Sequence, residues 1–363
     1  MCAVLPRVGF EAVAEEFERN FSERGDVAAA FAAWRGDGLL VDLTGGTAGE
    51  DSLFVVFSGT KGVVAISMLL LRERGLLDFD APVSRYWPEF GKPEIRVRDV
   101  LSHTSRLPGI DRELTLEEFA DRAVMARELE RQAPSEDPRA ALAYHAFTYG
   151  WLCGELVRRT DGRTVSRFIA EELAGPLDLE LWLGLPAEHE PRVATLEFAD
   201  SWPTSPQNRE EDLAADPFLR SIWGNPMTFG RSGFPWNSRA YHAAEIPGAG
   251  GIATARSMAR LYAALPSLLS PESLALASTT FSQGVDLTSG STSHFGPGFQ
   301  LQTERMSLGP VADAFGHGGA GGSKHGFWPR EGVGFSYCMS VMRDDEEVDP
   351  RPAALLAALH RAL

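Results

Sequence analysis

Phe54-Val55-Val56-Phe57-Ser58-Gly59-Thr60-Lys61-Gly62-Val63-Val64-Ala65-Ile66-Ser67-Met68-Leu69-Leu70-Leu71 is apolar on nearly every side, with a serine and a lysine three residues apart near its start. Apolar residues lead into Ser58, and from there to Arg74 the pattern is that of a helix buried in a protein interior, ended by Gly75. A spacing of three on a helix puts Ser58 and Lys61 on one face about one turn apart, close enough to exchange a proton. A serine hydroxyl is a weak nucleophile and needs a base, and a lysine serves as one only if burial or nearby positive charge brings its pKa toward neutrality. The helix amino end contributes positive potential. With 27 serines and 3 lysines in the chain, chance supplies about 0.2 such matches, so the motif alone is weak. The other basic side chains are 31 arginines, which do not release a proton near neutrality. The competing reading is a helix-capping serine beside a snorkelling lysine.

Working outward, Asp26 to Leu43 alternates small and apolar residues around Arg35-Gly36-Asp37-Gly38, a turn between two strands. It follows an acidic helical stretch, Glu11 to Arg24. Beyond Asp78, Leu116 to Arg131, Thr148 to Thr160 and Val165 to Ala174 have helical spacing. Phe198 to Pro247 carries many aromatic, Pro, Gly and Asn residues and reads as a long irregular loop. Strand character returns at Phe299 to Thr303, Ala312 to Phe315, Gly326 to Trp328 and Gly334 to Met342, and Arg351 to Leu363 reads as a closing helix. The expected fold is α+β: an antiparallel sheet from both chain ends with flanking helices, residues 1–80 and 247–363, plus an inserted mainly helical lobe, 81–246.

A chain of 363 residues with 44% apolar content buries a large core, and its net charge of −16 argues against nucleic acid and anionic membrane surfaces as partners. The amino terminus has no apolar run with a cleavage site, and Val63 to Leu71 is about half a bilayer span, so the expectation is a cytoplasmic protein with no membrane segment. Cys2, Cys153 and Cys338 lack C-x-x-C spacing and read as reduced packing residues. His103, His145, His242, His317 and His325 lack metal-ligand spacing, so neither a metal nor a cofactor is expected. The Gly-rich run 316–322 is followed by strand rather than helix, against a nucleotide loop, and there is no G-x-S-x-G elbow. Oligomeric state leaves no mark in the sequence.

Further motifs give the S-x-x-K its weight. Tyr144-His145-Ala146 leading into Phe147-Thr148-Tyr149-Gly150-Trp151, and Phe315-Gly316-His317-Gly318-Gly319-Ala320-Gly321-Gly322-Ser323, resemble the second and third motifs of β-lactamase-like enzymes. Gly75 to Val83, Leu101 to Gly109 and Pro247 to Arg256 also resemble stretches typical of that family. The likeness runs in the expected order from Phe54 to Met342 and is closest to the family VIII carboxylesterases, built on the class C β-lactamase and transpeptidase-like fold. It implies catalytic residues Ser58, Lys61 and Tyr144, an oxyanion hole from the backbone N–H groups of Ser58 and Ala320, and a strand edge His317-Gly318-Gly319 lining the site. The aromatic loop either lines the acyl or alcohol pocket, in which case Trp223, Phe229 and Trp236 touch substrate, or is a packed Ω-loop.

The departures from the family pattern concern the substrate. Where β-lactamases commonly have an amide-reading Asn two residues after the motif tyrosine, this chain has Ala146, and where they usually have Lys at the start of the third motif it has His317. Both weaken the β-lactamase reading, although Lys324 or Arg343 can supply a replacement charge. The expected partner is a small ester or acyl compound. Four alternatives stay open: an acyltransferase or peptide-cyclising thioesterase with the same acyl-enzyme, a β-lactamase, a D-amino-acid peptidase, and a non-catalytic ligand-binding homologue.

Overall fold

The computed structural model describes residues 8–231, 233–344 and 348–363; Cys2 lies outside them. Its centre is an eight-stranded antiparallel sheet. From one edge the strands are Gly38–Gly46, Ala28–Arg35, Val333–Met339, Lys324–Trp328, Phe315–Gly318, Gln300–Leu301, Ser291–Phe295 and Ser282–Asp286. The first two form the expected hairpin, with Arg35 opposite Gly38 and Gly36 at φ 54, the left-handed region a tight turn needs. Five of the eight residues of Ala28–Arg35 are alanine, the first six are buried, and the helix Ala255–Ala263 packs against the strand. Small side chains let the helix approach closely. Val333–Met339, the last strand of this sheet in chain order, pairs with it, Phe31 opposite Tyr337, so segments from both halves of the chain build one sheet.

The helices Glu11–Ser22 and Pro350–Ala362 pack on each other beside this sheet. Beside them lies a largely buried polar cluster centred on Arg351. Arg351, 0% exposed, donates to Asp26 Oδ1 at 2.9 Å, Val341 O at 2.9 Å, Gly321 O at 2.7 Å and Asp349 Oδ2 at 2.6 Å, and Tyr337 donates to Asp26 Oδ2 at 2.6 Å. The serine helix, Gly59–Glu73, is buried along its first 13 residues, and packs against the helix Thr148–Asp161 and the strand Phe315–Gly318. Cys153 and Cys338 are buried free thiols.

Several expected elements differ. Leu116 to Arg131 is two helices, Leu116–Ala120 and Arg122–Arg131, because the Asp121 carboxylate accepts from Ala123 N and Val124 N and starts the second. The stretch read as an irregular loop, Phe198 to Pro247, contains the helices Glu210–Ala215, Pro217–Trp223 and Arg239–Ala243. Asp216 caps the second of these and Pro217 occupies its first turn. The strand expected at Phe299 to Thr303 shrinks to Gln300–Leu301, and the one expected to end at Phe315 begins there. The hairpin Ser282–Asp286 with Ser291–Phe295 was not anticipated. Among the described residues no helix is long and apolar enough to cross a membrane.

Candidate active site

Ser58 sits where a short strand, Phe54–Val55, turns into the serine helix. Val56 N donates to Gly251 O at 2.9 Å, and the Thr60 hydroxyl donates to Phe57 O at 2.6 Å while accepting from Gly251 N at 2.8 Å. These bonds fix the turn on both sides of the serine. Phe57 has φ 45, a left-handed conformation that costs energy in a residue with a side chain. Its ring is held by Trp236 (centroids 5.2 Å apart) and Phe229 (5.6 Å), packing that keeps the strained turn in place. The Ser58 side chain makes no capping hydrogen bond, which removes the reading of this serine as a helix cap.

Lys61 is 0% exposed. Its Nζ lies 2.6 Å from Ala146 O, 2.8 Å from Gly248 O and 3.1 Å from Ser58 Oγ. Burial pushes the amine well below its ordinary pKa, and no carboxylate is among the groups that act on it. A neutral amine has two N–H bonds and one lone pair. In that form the two carbonyls take the N–H bonds, and the lone pair is left toward the Ser58 hydroxyl. Gly150 makes this possible: a Cβ there would collide with the backbone of Pro247 and Gly248, the residue whose carbonyl holds the amine. Gly150→Ala is therefore expected to reduce turnover at least tenfold while substrate binding changes less, checked as a split between kcat and KM.

Tyr144 packs its ring 4.8 Å from Lys61 Nζ. Burial raises its phenol above the ordinary value and a hydrogen bond with Ser58 partly opposes this, so the phenol is protonated at neutral pH. The Tyr144 backbone N–H donates to Asp286 Oδ2 at 2.8 Å. On its other side His145 N donates to His103 Nδ1 at 3.0 Å. His145 Nδ1 lies 2.6 Å from Ala143 O, so it carries the proton, and Nε2 accepts from the Ser105 hydroxyl at 2.7 Å. Burial pulls His145 down to about 4, which keeps this arrangement neutral.

Ser58, Tyr144, Ala146, Trp223, Phe229 and Ala320 face one cavity of about 380 Å³, together with Gly318 and Gly319. Trp223 lies against Tyr144 (5.9 Å, 23°) and Phe147 against Phe229 (6.2 Å, 14°), giving an aromatic wall. Ala320 begins a tight turn in which Gly321 and Gly322 have φ 82 and 120. Gly319 N donates to Ser323 O at 2.9 Å across that turn, and Arg351 holds Gly321 O from behind.

Two expected lining residues lie elsewhere. His317 is 0% exposed: side chains alternate along a strand, so with Gly318 toward the cavity His317 points at the serine helix, 6.1 Å from the Tyr144 ring. Trp236 is 1% exposed and stacks behind Phe229 (5.8 Å, 22°), taken up by packing rather than by the cavity. The sequence reading missed Asp286, which anchors the tyrosine loop and whose signal is only the local Asp286-Leu287-Thr288 turn, in which Thr288 N donates to Asp286 Oδ1 at 2.8 Å.

The sequence pattern of the family described as Beta-lactamase matches residues 16–359. The chain is similar to the esterase/beta-lactamase LipL of Mycobacterium tuberculosis, at 33% identity over 90% of this chain and 80% of the relative. Its fold resembles a penicillin-binding protein homolog from Caulobacter crescentus, with TM-score 0.90, 33% identity and full coverage of both chains. It also resembles a family VIII carboxylesterase, with TM-score 0.89, 29% identity and full coverage of both chains. The chain belongs to the beta-lactamase family and is a serine hydrolase of that fold.

Proposed function

We propose that the protein hydrolyses carboxylic esters through a covalent acyl-enzyme on Ser58. The observation that carries this is the buried Lys61 amine, bonded to two carbonyls and 3.1 Å from the serine hydroxyl. Ser58 Oγ bonds to the acyl carbon as its proton passes to Lys61 Nζ, and the carbonyl π pair moves to oxygen. The N–H groups of Ser58 and Ala320 stabilise that oxyanion. The C–O bond to the alcohol then breaks, and the leaving oxygen takes a proton from the Tyr144 phenol, which regains one from Lys61. Water adds to the acyl carbon by the same route in reverse and releases the acid. Ala146 offers no side-chain donor to a substrate amide, which favours esters over amides, and the similar proteins include an esterase/beta-lactamase and a family VIII carboxylesterase.

Hydrolysis of p-nitrophenyl acetate and butyrate, beside the β-lactam nitrocefin, tests this reading. Measurable ester turnover that falls to background in Ser58→Ala, with little nitrocefin cleavage, is expected. Rapid nitrocefin cleavage assigns the site to β-lactams instead, and absence of any covalent Ser58 adduct by mass spectrometry refutes the mechanism.

A further inference from the structure

The cavity is bordered by Lys324, an amine with no ion-pair partner among the described residues. Lys324 stands opposite Gly318 on the neighbouring strand, and its Nζ lies 2.7 Å from where a Gly318 Cβ would be. Any other residue at 318 would compete for the place the amine occupies. On the far side of Gly318, Gln300 Oε1 accepts from Gly318 N at 2.9 Å, which leaves the Gln300 NH2 group beside the same glycine with no acceptor among the described residues. Lys324, Gly318 and Gln300 all line the cavity that Ser58 faces. Two carboxylates border that cavity as well, yet both are already engaged. Asp286 accepts from Tyr144 N, Thr288 N and the Thr288 hydroxyl, and Asp344 accepts from Thr204 N, Ser205 N and Asn208 Nδ2. Among the described residues Lys324 makes no ion pair. Burial lowers its amine below the ordinary value, and Asp349 only partly opposes this.

An unpaired ammonium in a partly enclosed cavity is unfavourable until an anion joins it. We propose that Lys324 and Gln300, flanking the bare backbone of Gly318, form a carboxylate-binding subsite, and that the preferred substrates are esters that themselves carry a carboxylate. This rests on the Ser58 ester-hydrolase reading and names its substrate class. The ammonium supplies the charge, the amide a second N–H, and Gly318 the open floor between them.

The test compares each anionic ester with a neutral partner of similar size: mono-p-nitrophenyl adipate with p-nitrophenyl hexanoate for the acyl side, and 4-acetoxybenzoate with phenyl acetate for the alcohol side. In the wild type at low salt, kcat/KM favours the anionic member of at least one pair by about tenfold or more, the range of a charge-assisted hydrogen bond. In Lys324→Met that ratio falls toward one or below, and Gln300→Met lowers it severalfold. Raising the salt concentration erodes the wild-type preference. Equal ratios in wild type and Lys324→Met, or no anionic preference in either pair, overturn the subsite. Absence of any Ser58-dependent hydrolysis of the neutral esters is a different failure, that of the ester-hydrolase reading itself.

Discussion

Lys61→Met lowers kcat for p-nitrophenyl butyrate by about three orders of magnitude, the scale of a lost general base. Methionine fills nearly the same volume but has no lone pair to receive the Ser58 proton. Lys61→Arg gives a comparable loss, because a guanidinium keeps its protons at any working pH. Both variants also leave Ala146 O and Gly248 O with altered partners, so the comparison is made per folded molecule, from circular dichroism and denaturant midpoints. The pH dependence supplies an independent check. The Lys61 amine is held well below its ordinary pKa by burial, so more of it is free base at a given pH than in an exposed lysine, and it takes up a proton as pH falls. Activity therefore falls along an acidic limb, displaced below the range in which an exposed lysine titrates. The linkage sign is the same for stability. Between the lowered folded pKa and the ordinary unfolded one, the unfolded chain binds more protons, and Lys61 makes stability rise with pH across that window. Lys61→Met flattens this slope, and an unchanged slope counts against a buried neutral amine.

Arg351→Met destabilises the fold by about 3–5 kcal/mol, the cost of breaking a buried ion pair from one side. The Asp26 carboxylate, whose side chain has no exposure, is left with Tyr337 as its one remaining side-chain donor among the described residues. Burial already raises the Asp26 carboxyl, with Arg351 the chief opposing charge. Without Arg351 the carboxyl rises further and takes up a proton more readily, so the variant's deficit shrinks as pH falls from 7 toward 4. Asp26→Asn added to Arg351→Met recovers part of the lost stability, read in a double-mutant cycle by urea denaturation. Additive losses would mean that the two groups do not depend on one another.

The serine helix was legible because it is apolar on all sides and ends in Gly75, and the first hairpin because a Gly-Asp turn separates two apolar runs. Ser58 and Lys61 could be paired from their spacing alone. Tyr144 could not, since its place beside them is set by the tertiary fold and was reachable only through resemblance. The hairpin Ser282–Phe295 escaped notice because it forms an exposed edge of Ser, Thr and Gly residues with no apolar alternation to report it. The grip of Asp286 on the Tyr144 backbone spans 142 positions and leaves no periodic trace. The third motif located His317 along its strand but not on which face it lies, and that one-residue alternation decides between the cavity and the helix behind it. In Phe198 to Pro247 the Asp216-Pro217 pair was a helix-start signal outweighed by the surrounding Gly, Pro and Asn.

The strand Val333–Met339 lies between Ala28–Arg35 and Lys324–Trp328. During synthesis the hairpin is made long before its partner strand, and its alanine-rich edge stays unpaired until Val333–Met339 has left the ribosome. A nascent or truncated chain that stops short of Val333 therefore presents an open sticky ribbon, and such fragments are expected to depend on chaperones or to be degraded rather than to persist as partly active enzyme.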